Sequence, residues 1–345
     1  MTAISESLVH KAGPTQFELT PEEASQIHEA VRRLVREVDS SQSPDLSRLA
    51  ALTAHFLPVR LLDFLSGFRR QEPAGALVIR GWHVDDALIG PTPEHWRDQE
   101  TPSRTLEEEL YLMLTASVLG DVFAWSTVQE GRLVQDLLPI KDEAHHKSAG
   151  SSDSLLDLHN EDAFSPLRCD YLGLFCLRND DRVPTSYAAL DVGGLTPDQR
   201  RVLAEPRFVL PPDSEHVRRA VERGEKPPAP PKTGLLFGDP ESPYLAIDEF
   251  FIEVDPNDHE ALDALDALLN QLRSAQRDVT LEPGELLIID NYRAVHGRKP
   301  FQARYDGRDR WLKRIGVTRD LRKSRAARSV VDSRVIITGL AASLG

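Results

Sequence analysis

The chain is poor in cysteine and in long apolar stretches. Cys169 and Cys176 are its only cysteines, and their odd separation would place them on opposite faces of a strand. They predict neither a disulfide framework nor a zinc knuckle, so we expect two buried thiols. No run of about 18 uninterrupted apolar residues occurs, and the N-terminus lacks the basic and apolar regions of a secretory signal. We therefore expect a cytoplasmic protein without a membrane partner.

Positive charge is also scarce. Asp and Glu number 55 against 41 Lys and Arg, which gives a formal net charge of -14 at pH 7. Because such an excess of carboxylates opposes broad contact with a phosphate backbone, nucleic acid is not an expected partner. At 40% hydrophobic residues, the chain has ample apolar material for the core of a soluble globular protein. The sequence does not indicate an oligomeric state.

Helical patterns dominate the first third of the chain. Residues 20–23, Thr-Pro-Glu-Glu, have the form of an N-cap, a proline at the first helical position and a glutamate at the third, and apolar residues recur at helical spacing as far as Val38. A second helical pattern over residues 46–70 is broken by Pro58, and a third covers residues 105–120. We predict helices in all three places.

Short apolar runs, typical of buried strands, follow at residues 171–175 and 286–289. One more helical stripe covers residues 256–277. Residues 223–233 are too polar and proline-rich to pack, which predicts a mobile loop. The pattern as a whole predicts a β-rich core flanked by helices.

A candidate metal site begins at His159 and Glu161. In an extended segment positions i and i+2 project to the same side, so the imidazole and the carboxylate would face one cavity. His296, which follows the apolar run 286–289, is the best candidate for a third ligand. Two histidines and one carboxylate on one face leave coordination positions open, which suits ferrous iron and oxygen chemistry.

Two arginines follow the third candidate ligand. Arg310 and Arg314 alternate with apolar residues such as Trp311 and Ile315, so both would lie on the same face of a strand. The planar guanidinium binds a carboxylate through two parallel hydrogen bonds. We expect two carboxylates to be held near the metal, one of them on a co-substrate that supplies electrons.

Simpler interpretations exist for each of these features. A buried His and Glu more often only pair with each other in a polar turn, and strand arginines are more often solvated. The same three ligands also suit zinc and hydrolysis by an activated water. The order of the features favours iron: an H-x-E motif, a long interval, a strand-end histidine, and an arginine fourteen residues later at position 310.

Three long segments match the pattern of a known enzyme family: LGDVFAWSTVQEGRLVQDLLPIK, HNEDAFSPLRCDYLGLFCLRN and GELLIIDNYRAVHGRKPFQARYDGRDRWLKR. They resemble the clavaminate synthase-like (TauD-type) branch of the iron(II)- and 2-oxoglutarate-dependent oxygenases, and within it the amino-acid hydroxylases of peptide-antibiotic pathways. Similarity runs from about residue 18 to residue 336. The resemblance implies an α+β, mainly β fold with a double-stranded β-helix (jelly-roll) core and outer helices. It implies a single domain over residues 19–340, preceded by a flexible N-terminus over residues 1–18.

The resemblance also assigns the metal and co-substrate ligands. His159, Glu161 and His296 would hold Fe(II), and Arg310 would hold the distal carboxylate of 2-oxoglutarate. Ser186 lies near a family threonine that touches the same carboxylate. No catalytic residue is implied beyond the metal centre.

For the amino-acid substrate, the resemblance implies that Arg314 pairs with the α-carboxylate and that Gln129 lies near the amino group. The other implied pocket residues are Ser151 or Ser152, between which the register is not fixed, and Asp213 and Asp248, which receive the substrate's side-chain end.

At the substrate pocket, the sequence differs from the family that it resembles. Phe250 stands where the arginine and lysine hydroxylases carry a second acid, two places after the position of Asp248. Leu158 and Asn160 stand where relatives often have Trp and Thr. Loss of an acid weakens a clamp on a guanidinium or an ammonium, so a ureido or cyclic side chain is also an expected substrate group.

The implied reaction is hydroxylation at Cβ or Cγ of a polar or basic L-amino acid resembling arginine, citrulline, enduracididine or lysine. It consumes 2-oxoglutarate and O2, releases succinate and CO2, and belongs to specialised biosynthesis. Desaturation or cyclisation by the same oxidant stays open. Halogenation is excluded, because Glu161 fills the position that a halide would need.

Overall fold

The computed structural model describes residues 13–43, 45–143, 150–222, 224 and 230–341. The α-helices of this part are α1 (Pro21–Val35), α2 (Leu46–Thr53), α3 (Val59–Gln71), α4 (Asp86–Ile89), α5 (Leu106–Ala116), α6 (Pro197–Ala204), α7 (Ser214–Glu222), α8 (His259–Ala275) and α9 (Thr338–Ala341). Short 3-10 helices lie at Ala54–Phe56, Trp96–Asp98, Gln129–Gly131, Lys141–Glu143, Val192–Gly194 and Leu321–Ala327.

The strands of the same part are β1 (Thr15–Glu18), β2 (Ala76–Arg80), β3 (Asp121–Trp125), β4 (Gln135–Leu137), β5 (Leu156–His159), β6 (Tyr171–Arg178), β7 (Thr185–Ala189), β8 (Phe208–Val209), β9 (Leu236–Asp239), β10 (Ser242–Leu245), β11 (Glu253–Val254), β12 (Arg277–Val279), β13 (Leu286–Asp290), β14 (Ala294–Arg298), β15 (Trp311–Thr318) and β16 (Val335–Ile336).

Two sheets build the centre of the molecule. The larger sheet has the order β1-β2-β13-β6-β15-β3-β16, with β4 also paired to β15, and the smaller has the order β12-β7-β14-β5. Apolar residues from both sheets, such as Leu174 and Leu312 from the larger and Tyr187 and Ala294 from the smaller, form one buried cluster between them. This arrangement is the predicted jelly-roll core.

Helices cover the outer faces of both sheets. Helices α1, α2, α3 and α5 share a buried cluster with the outer face of the larger sheet, and α6 and α8 pack with residues of the smaller one. On β15, Trp311 and Ile315 face the helices while Leu312 faces the space between the sheets. This alternation places Arg310 and Arg314 on the inner side, as predicted.

The local helix signals are confirmed. Thr20 Oγ1 accepts a hydrogen bond from Glu23 N at 3.2 Å, and Glu23 Oε2 accepts one from Thr20 N at 2.9 Å, so α1 begins with a complete capping box. Pro58 is the N-cap of α3 and separates it from α2. The expected thiols, Cys169 and Cys176, are both buried.

Strand β1 overlaps the N-terminal segment that is predicted to be flexible. Residues 15–18 form β1, which pairs in parallel with β2, so the flexible N-terminus predicted for residues 1–18 does not extend over them. Residues 1–12 lie outside the described residues. The loop predicted for residues 223–233 also falls mostly outside them, since residues 223 and 225–229 are not described, but Thr233 bridges to Phe208.

Every helix within the described ranges is too short or too polar to cross a bilayer. The cytoplasmic location stays a prediction.

Candidate active site

Two of the three candidate metal ligands, His159 and His296, lie on paired strands of the smaller sheet, and Glu161 follows β5 in a turn. His159 ends β5 and pairs directly with His296 of β14, next to an irregularity in the register. The two imidazole ring centroids are 4.3 Å apart, and His296 Nε2 lies 3.6 Å from Glu161 Oε2. One donor atom from each of the three side chains lies within 4.8 Å of the others. His159 and Glu161, which are two residues apart, therefore converge with a histidine from a distant part of the chain.

The hydrogen bonds of the histidines suit metal binding. His159 Nδ1 lies 2.8 Å from the carbonyl oxygen of Asp157, which can only accept, so in the neutral ring Nδ1 carries the proton and Nε2 has the lone pair. His296 Nδ1 is buried and has no hydrogen-bond partner among the described residues. Burial, and then the neighbouring His159, lower the pKa of His296 to about 4. The His296 ring is therefore neutral, the form that binds a divalent cation.

Glu161 supplies the negative charge of this group. Burial opposes its ionisation, but the Arg314 guanidinium, whose Nη1 donates to Glu161 Oε1 at 2.8 Å, holds the pKa of its carboxyl well below the usual range. Its backbone is fixed by Asn291, which accepts from Glu161 N at 2.8 Å and donates to its carbonyl oxygen at 2.9 Å. The carboxylate is therefore ionised and held in place.

Two further buried arginines, Arg298 and Arg310, line the same cavity. Arg310 Nη2 donates to Thr185 Oγ1 at 3.2 Å, and its Nε has no partner among the described residues. Burial lowers the pKa of Arg310 to about 10, and burial together with Arg310 lowers that of Arg298 to about 9. No carboxylate of the described residues forms an ion pair with either, and buried charges are normally paired. The two guanidinium groups therefore form a site that can bind an anion.

One cavity of about 110 Å³ brings these groups together with the predicted acids. The predicted site residues that line it are His159, Glu161, Asp213, Asp248, Phe250, His296, Arg310 and Arg314. Asp213 Oδ1 accepts from His216 N at 2.9 Å. Asp248 Oδ1 accepts from Phe250 N at 3.0 Å, and burial raises the pKa of Asp248. Phe250 is 52% exposed at the cavity's edge.

Ser186 does not line this cavity. Its hydroxyl donates to Asp278 Oδ1 on the neighbouring strand β12 at 3.3 Å. Because side chains alternate along β7, the preceding Thr185 faces the cavity and meets Arg310. The resemblance indicated a threonine, and Thr185 is one, so residue type was the signal that could have found it.

Gln129 is likewise placed away from the cavity. Its Nε2 donates to the carbonyl oxygen of Asp136 at 2.7 Å, and its Oε1 accepts from Asp136 N at 3.0 Å. The side-chain amide therefore holds together the two ends of the loop between Gln129 and Asp136. Gln135 instead reaches the site, where its Oε1 accepts from Arg314 Nε at 2.7 Å. Strand β4 pairs Gln135 directly with Arg314, a register that the sequence does not reveal.

The two predicted serines have hydrogen-bond partners within the protein. Ser151 Oγ accepts from Arg298 Nη2 at 3.0 Å, and Ser152 Oγ donates to Asp153 Oδ1 at 3.2 Å. Neither lines the cavity. In this structure the Ser151 hydroxyl holds the Arg298 guanidinium. A further lining residue that sequence reasoning missed is Asp157, although its position two residues before His159 was a usable signal.

Comparison with known proteins agrees with this geometry. Residues 212–315 match the family described as "Taurine catabolism dioxygenase TauD, TfdA family". The L-ornithine/L-arginine 3-hydroxylase of Catenulispora acidiphila is 41% identical over 316 residues, which cover 86% of this chain and 92% of that protein. The enduracididine beta-hydroxylase of Streptomyces hygroscopicus is 36% identical over 336 residues, which cover 92% and 98%.

Solved structures of the non-heme iron oxygenase OrfP show the same fold. Its complex with Fe, succinate and (3S)-hydroxy-L-Arg has a TM-score of 0.87 and 40% identity, covering 93% of this chain and 99% of that chain. The complex with Fe and alpha-ketoglutaric acid also has a TM-score of 0.87, at 42% identity and the same coverage.

The chain belongs to the iron(II)- and 2-oxoglutarate-dependent oxygenases. Within that family it is an amino-acid hydroxylase that uses ferrous iron, 2-oxoglutarate and O2. This assignment replaces the zinc-hydrolase alternative.

Proposed function

We propose that the enzyme hydroxylates Cβ or Cγ of a free cationic L-amino acid, with L-arginine as the leading candidate. The observation that carries this proposal is the composition of one cavity: a His/Glu/His group, buried arginines and the carboxylates of Asp213 and Asp248. A cationic side-chain end fits the carboxylates. The relatives that act on L-arginine or L-ornithine support the same choice. A role in peptide-antibiotic biosynthesis stays a prediction.

His159, Glu161 and His296 are assigned to iron on the basis of their convergent donor atoms. Arg310, with the hydroxyl of Thr185, is assigned to the distal carboxylate of 2-oxoglutarate. The support is the unpaired, buried guanidinium, since a carboxylate bound there would replace the ion-pair partner that the described residues do not supply. Arg298, in the same cavity, adds positive charge to this site.

Arg314 is assigned to the α-carboxylate of the amino acid. Its Nε donates to Gln135 and its Nη1 to Glu161, which leaves Nη2 to bind a carboxylate. The same guanidinium would then contact both the metal-binding carboxylate and the substrate. Because Arg314 contacts both groups, it places the α-carboxylate of the amino acid next to the iron site. Asp213 and Asp248 would then contact the side-chain end of the amino acid.

Iron and 2-oxoglutarate, when bound, activate O2 and oxidise a substrate C–H bond to C–OH, while 2-oxoglutarate is converted to succinate and CO2. The protein supplies positioning. Arg310 and Thr185 fix the co-substrate, Arg314 fixes the amino-acid end of the substrate, and the aspartates fix its side chain. The carbon nearest the metal is thereby selected.

The direct test is an aerobic assay of the purified enzyme with Fe(II), 2-oxoglutarate and one amino acid at a time. We expect L-arginine to gain one oxygen atom by mass spectrometry, with one succinate formed per product. L-Ornithine, L-citrulline, L-lysine and L-asparagine complete the panel. Oxidation of L-asparagine alone, with no reaction of the cationic amino acids, would contradict the proposed substrate class.

Thr185→Val tests the co-substrate assignment. Valine keeps the shape and removes the hydroxyl, so we expect the KM for 2-oxoglutarate to rise about fivefold, the loss of one ordinary hydrogen bond. Ser186→Ala is the matched control, and we expect no such rise. If Ser186→Ala raised the KM for 2-oxoglutarate as much as Thr185→Val did, Ser186 would be restored as a binding residue.

Asp248→Asn tests the side-chain contact. Asparagine retains the oxygen that accepts from Phe250 N, but it removes the negative charge. We expect the KM for L-arginine to rise about tenfold or more, the cost of one charge-assisted hydrogen bond, while that for the neutral L-citrulline changes little. The control is Glu249→Gln, at a carboxylate that pairs with Arg273 and is absent from the cavity lining. A parallel loss for both amino acids would remove Asp248 from the pocket.

A further inference from the structure

A buried polar pair lies directly behind the candidate metal centre. Asp162 follows Glu161 in the chain and has a left-handed backbone conformation, with φ of 53°. Its Oδ1 lies 3.0 Å from His216 Nε2, and its Oδ2 accepts from Trp125 Nε1 at 2.7 Å. Both carboxylate oxygens are therefore used inside the protein, and neither Asp162 nor His216 lines the cavity.

His216 is enclosed on all sides, with 0% of its surface exposed. Its Nδ1 lies 2.7 Å from Thr127 Oγ1. Its ring packs edge-on against Trp125 and Phe164, at centroid distances of 5.4 and 4.9 Å. Because both ring nitrogens have partners, displacing the ring would leave buried polar groups unpaired. The position of His216 is therefore sharply defined.

The same histidine is tied to the cavity through its backbone. His216 N donates to Asp213 Oδ1 at 2.9 Å, and Val217 N donates to the carbonyl oxygen of Asp213 at 3.1 Å. Asp213 thus caps the first turn of α7 and lines the cavity at the same time. One continuous set of contacts runs from Asp162, the neighbour of a metal ligand, through His216 to an acid of the substrate pocket.

We propose that the Asp162–His216 pair is a positioning device for substrate recognition. It fixes the first turn of α7 against the segment that carries Glu161, and so sets where Asp213 meets the side-chain end of the amino acid. This inference rests on the proposed function, because it takes Asp213 as a substrate contact. Asp162 and His216 touch neither the substrate nor the reacting atoms, so both are positioning residues.

A positioning role and a merely structural role predict different results. If the pair only stabilises the fold, its loss lowers thermal stability and weakens binding of 2-oxoglutarate and of the amino acid alike. If it positions Asp213, its loss weakens binding of the amino acid alone. The visible charge-transfer band of the anaerobic Fe(II) and 2-oxoglutarate complex reports on the co-substrate without turnover.

The first variant is His216→Phe, which keeps a ring against Trp125 and Phe164 and removes both ring hydrogen bonds. We expect the Kd for L-arginine, measured by anaerobic calorimetry with Fe(II) and 2-oxoglutarate present, to rise about tenfold. The charge-transfer band and the Kd for 2-oxoglutarate stay unchanged. His216→Gln, whose amide can still donate to Asp162, restores most of the affinity for L-arginine.

A double-mutant cycle with Asp213→Ala makes the test decisive. If His216 acts through Asp213, the variant that carries both His216→Phe and Asp213→Ala binds L-arginine no more weakly than Asp213→Ala alone. Additive losses would overturn the inference, as would a weakened charge-transfer band in His216→Phe. If Asp213→Ala by itself leaves the Kd unchanged, the proposed role of Asp213 in substrate binding fails, and the inference fails with it.

Circular dichroism establishes whether His216→Phe folds. Should it not fold, Thr127→Val takes its place in the same cycle. This substitution removes the hydrogen bond to His216 Nδ1 and leaves the contact with Asp162 intact. We expect a smaller loss of affinity for L-arginine with the same lack of additivity, and additive losses would overturn the inference here too.

Discussion

His296→Ala is expected to abolish iron-dependent succinate formation. Even the loss of a residue that merely orients a metal ligand costs about 10–100-fold in metal affinity or activity, and His296 supplies a donor atom itself in our account. We therefore expect the iron content of the purified variant and its turnover to fall by more than about a hundredfold. The measurement is succinate release with L-arginine, together with bound iron determined by atomic emission.

The matched control for this variant is His83→Ala, at an exposed histidine outside the cavity lining. It should retain iron and activity. Full turnover by His296→Ala would show that the metal, if one is bound, is held elsewhere.

Arg310→Met is expected to weaken binding of 2-oxoglutarate without lowering the thermal stability of the free protein. Truncating one partner of a buried charge pair costs about 2–5 kcal/mol of binding free energy, so the Kd for 2-oxoglutarate should rise about 30-fold or more. The free protein should lose no thermal stability, since Arg310 is buried without a carboxylate partner among the described residues and methionine removes that burial cost.

Calorimetric titration of 2-oxoglutarate and a thermal melt of the free protein measure these two effects. The control is Arg304→Met, at an exposed arginine that pairs with Asp181, and it should leave the Kd unchanged. A marked drop in melting temperature for Arg310→Met without loss of 2-oxoglutarate binding would mean that the guanidinium is structural.

The strongest predictions from the sequence were those that depend on local spacing. The capping box at Thr20 and Glu23 requires only four consecutive residues, and the shared face of Arg310 and Arg314 requires only strand alternation. Local spacing does not predict that His159 and Glu161 converge with His296, because β5 and β14 are far apart in the chain. There the resemblance to a known family supplied what spacing alone left open.

The predicted site residues that do not line the cavity share a different cause, which is the exact register of neighbouring segments. A shift of one residue turns every side chain to the opposite face of a strand, which is why Ser186 was predicted where Thr185 lies. Gln129 lies away from the cavity because its loop closes on Asp136, a conformation that no short pattern encodes. Arg298 was overlooked, although it stands two residues after His296.

The flexible N-terminus predicted for residues 1–18 includes a segment that the structure places in a strand. Thr15–Glu18 is a four-residue strand whose stability comes from pairing with β2, a partner about sixty residues away in sequence. A short edge strand has too few residues to show a periodic pattern. Its existence depends on tertiary contacts that composition does not reveal.

The central claim is that His159, Glu161 and His296 together hold one ferrous ion. The most direct measurement is anomalous diffraction at the iron edge from crystals grown anaerobically with Fe(II). Our account predicts a single strong peak within bonding distance of one donor atom from each of the three side chains, with no fourth protein ligand. A peak away from these residues, or a coordination sphere closed by further side chains, would contradict it.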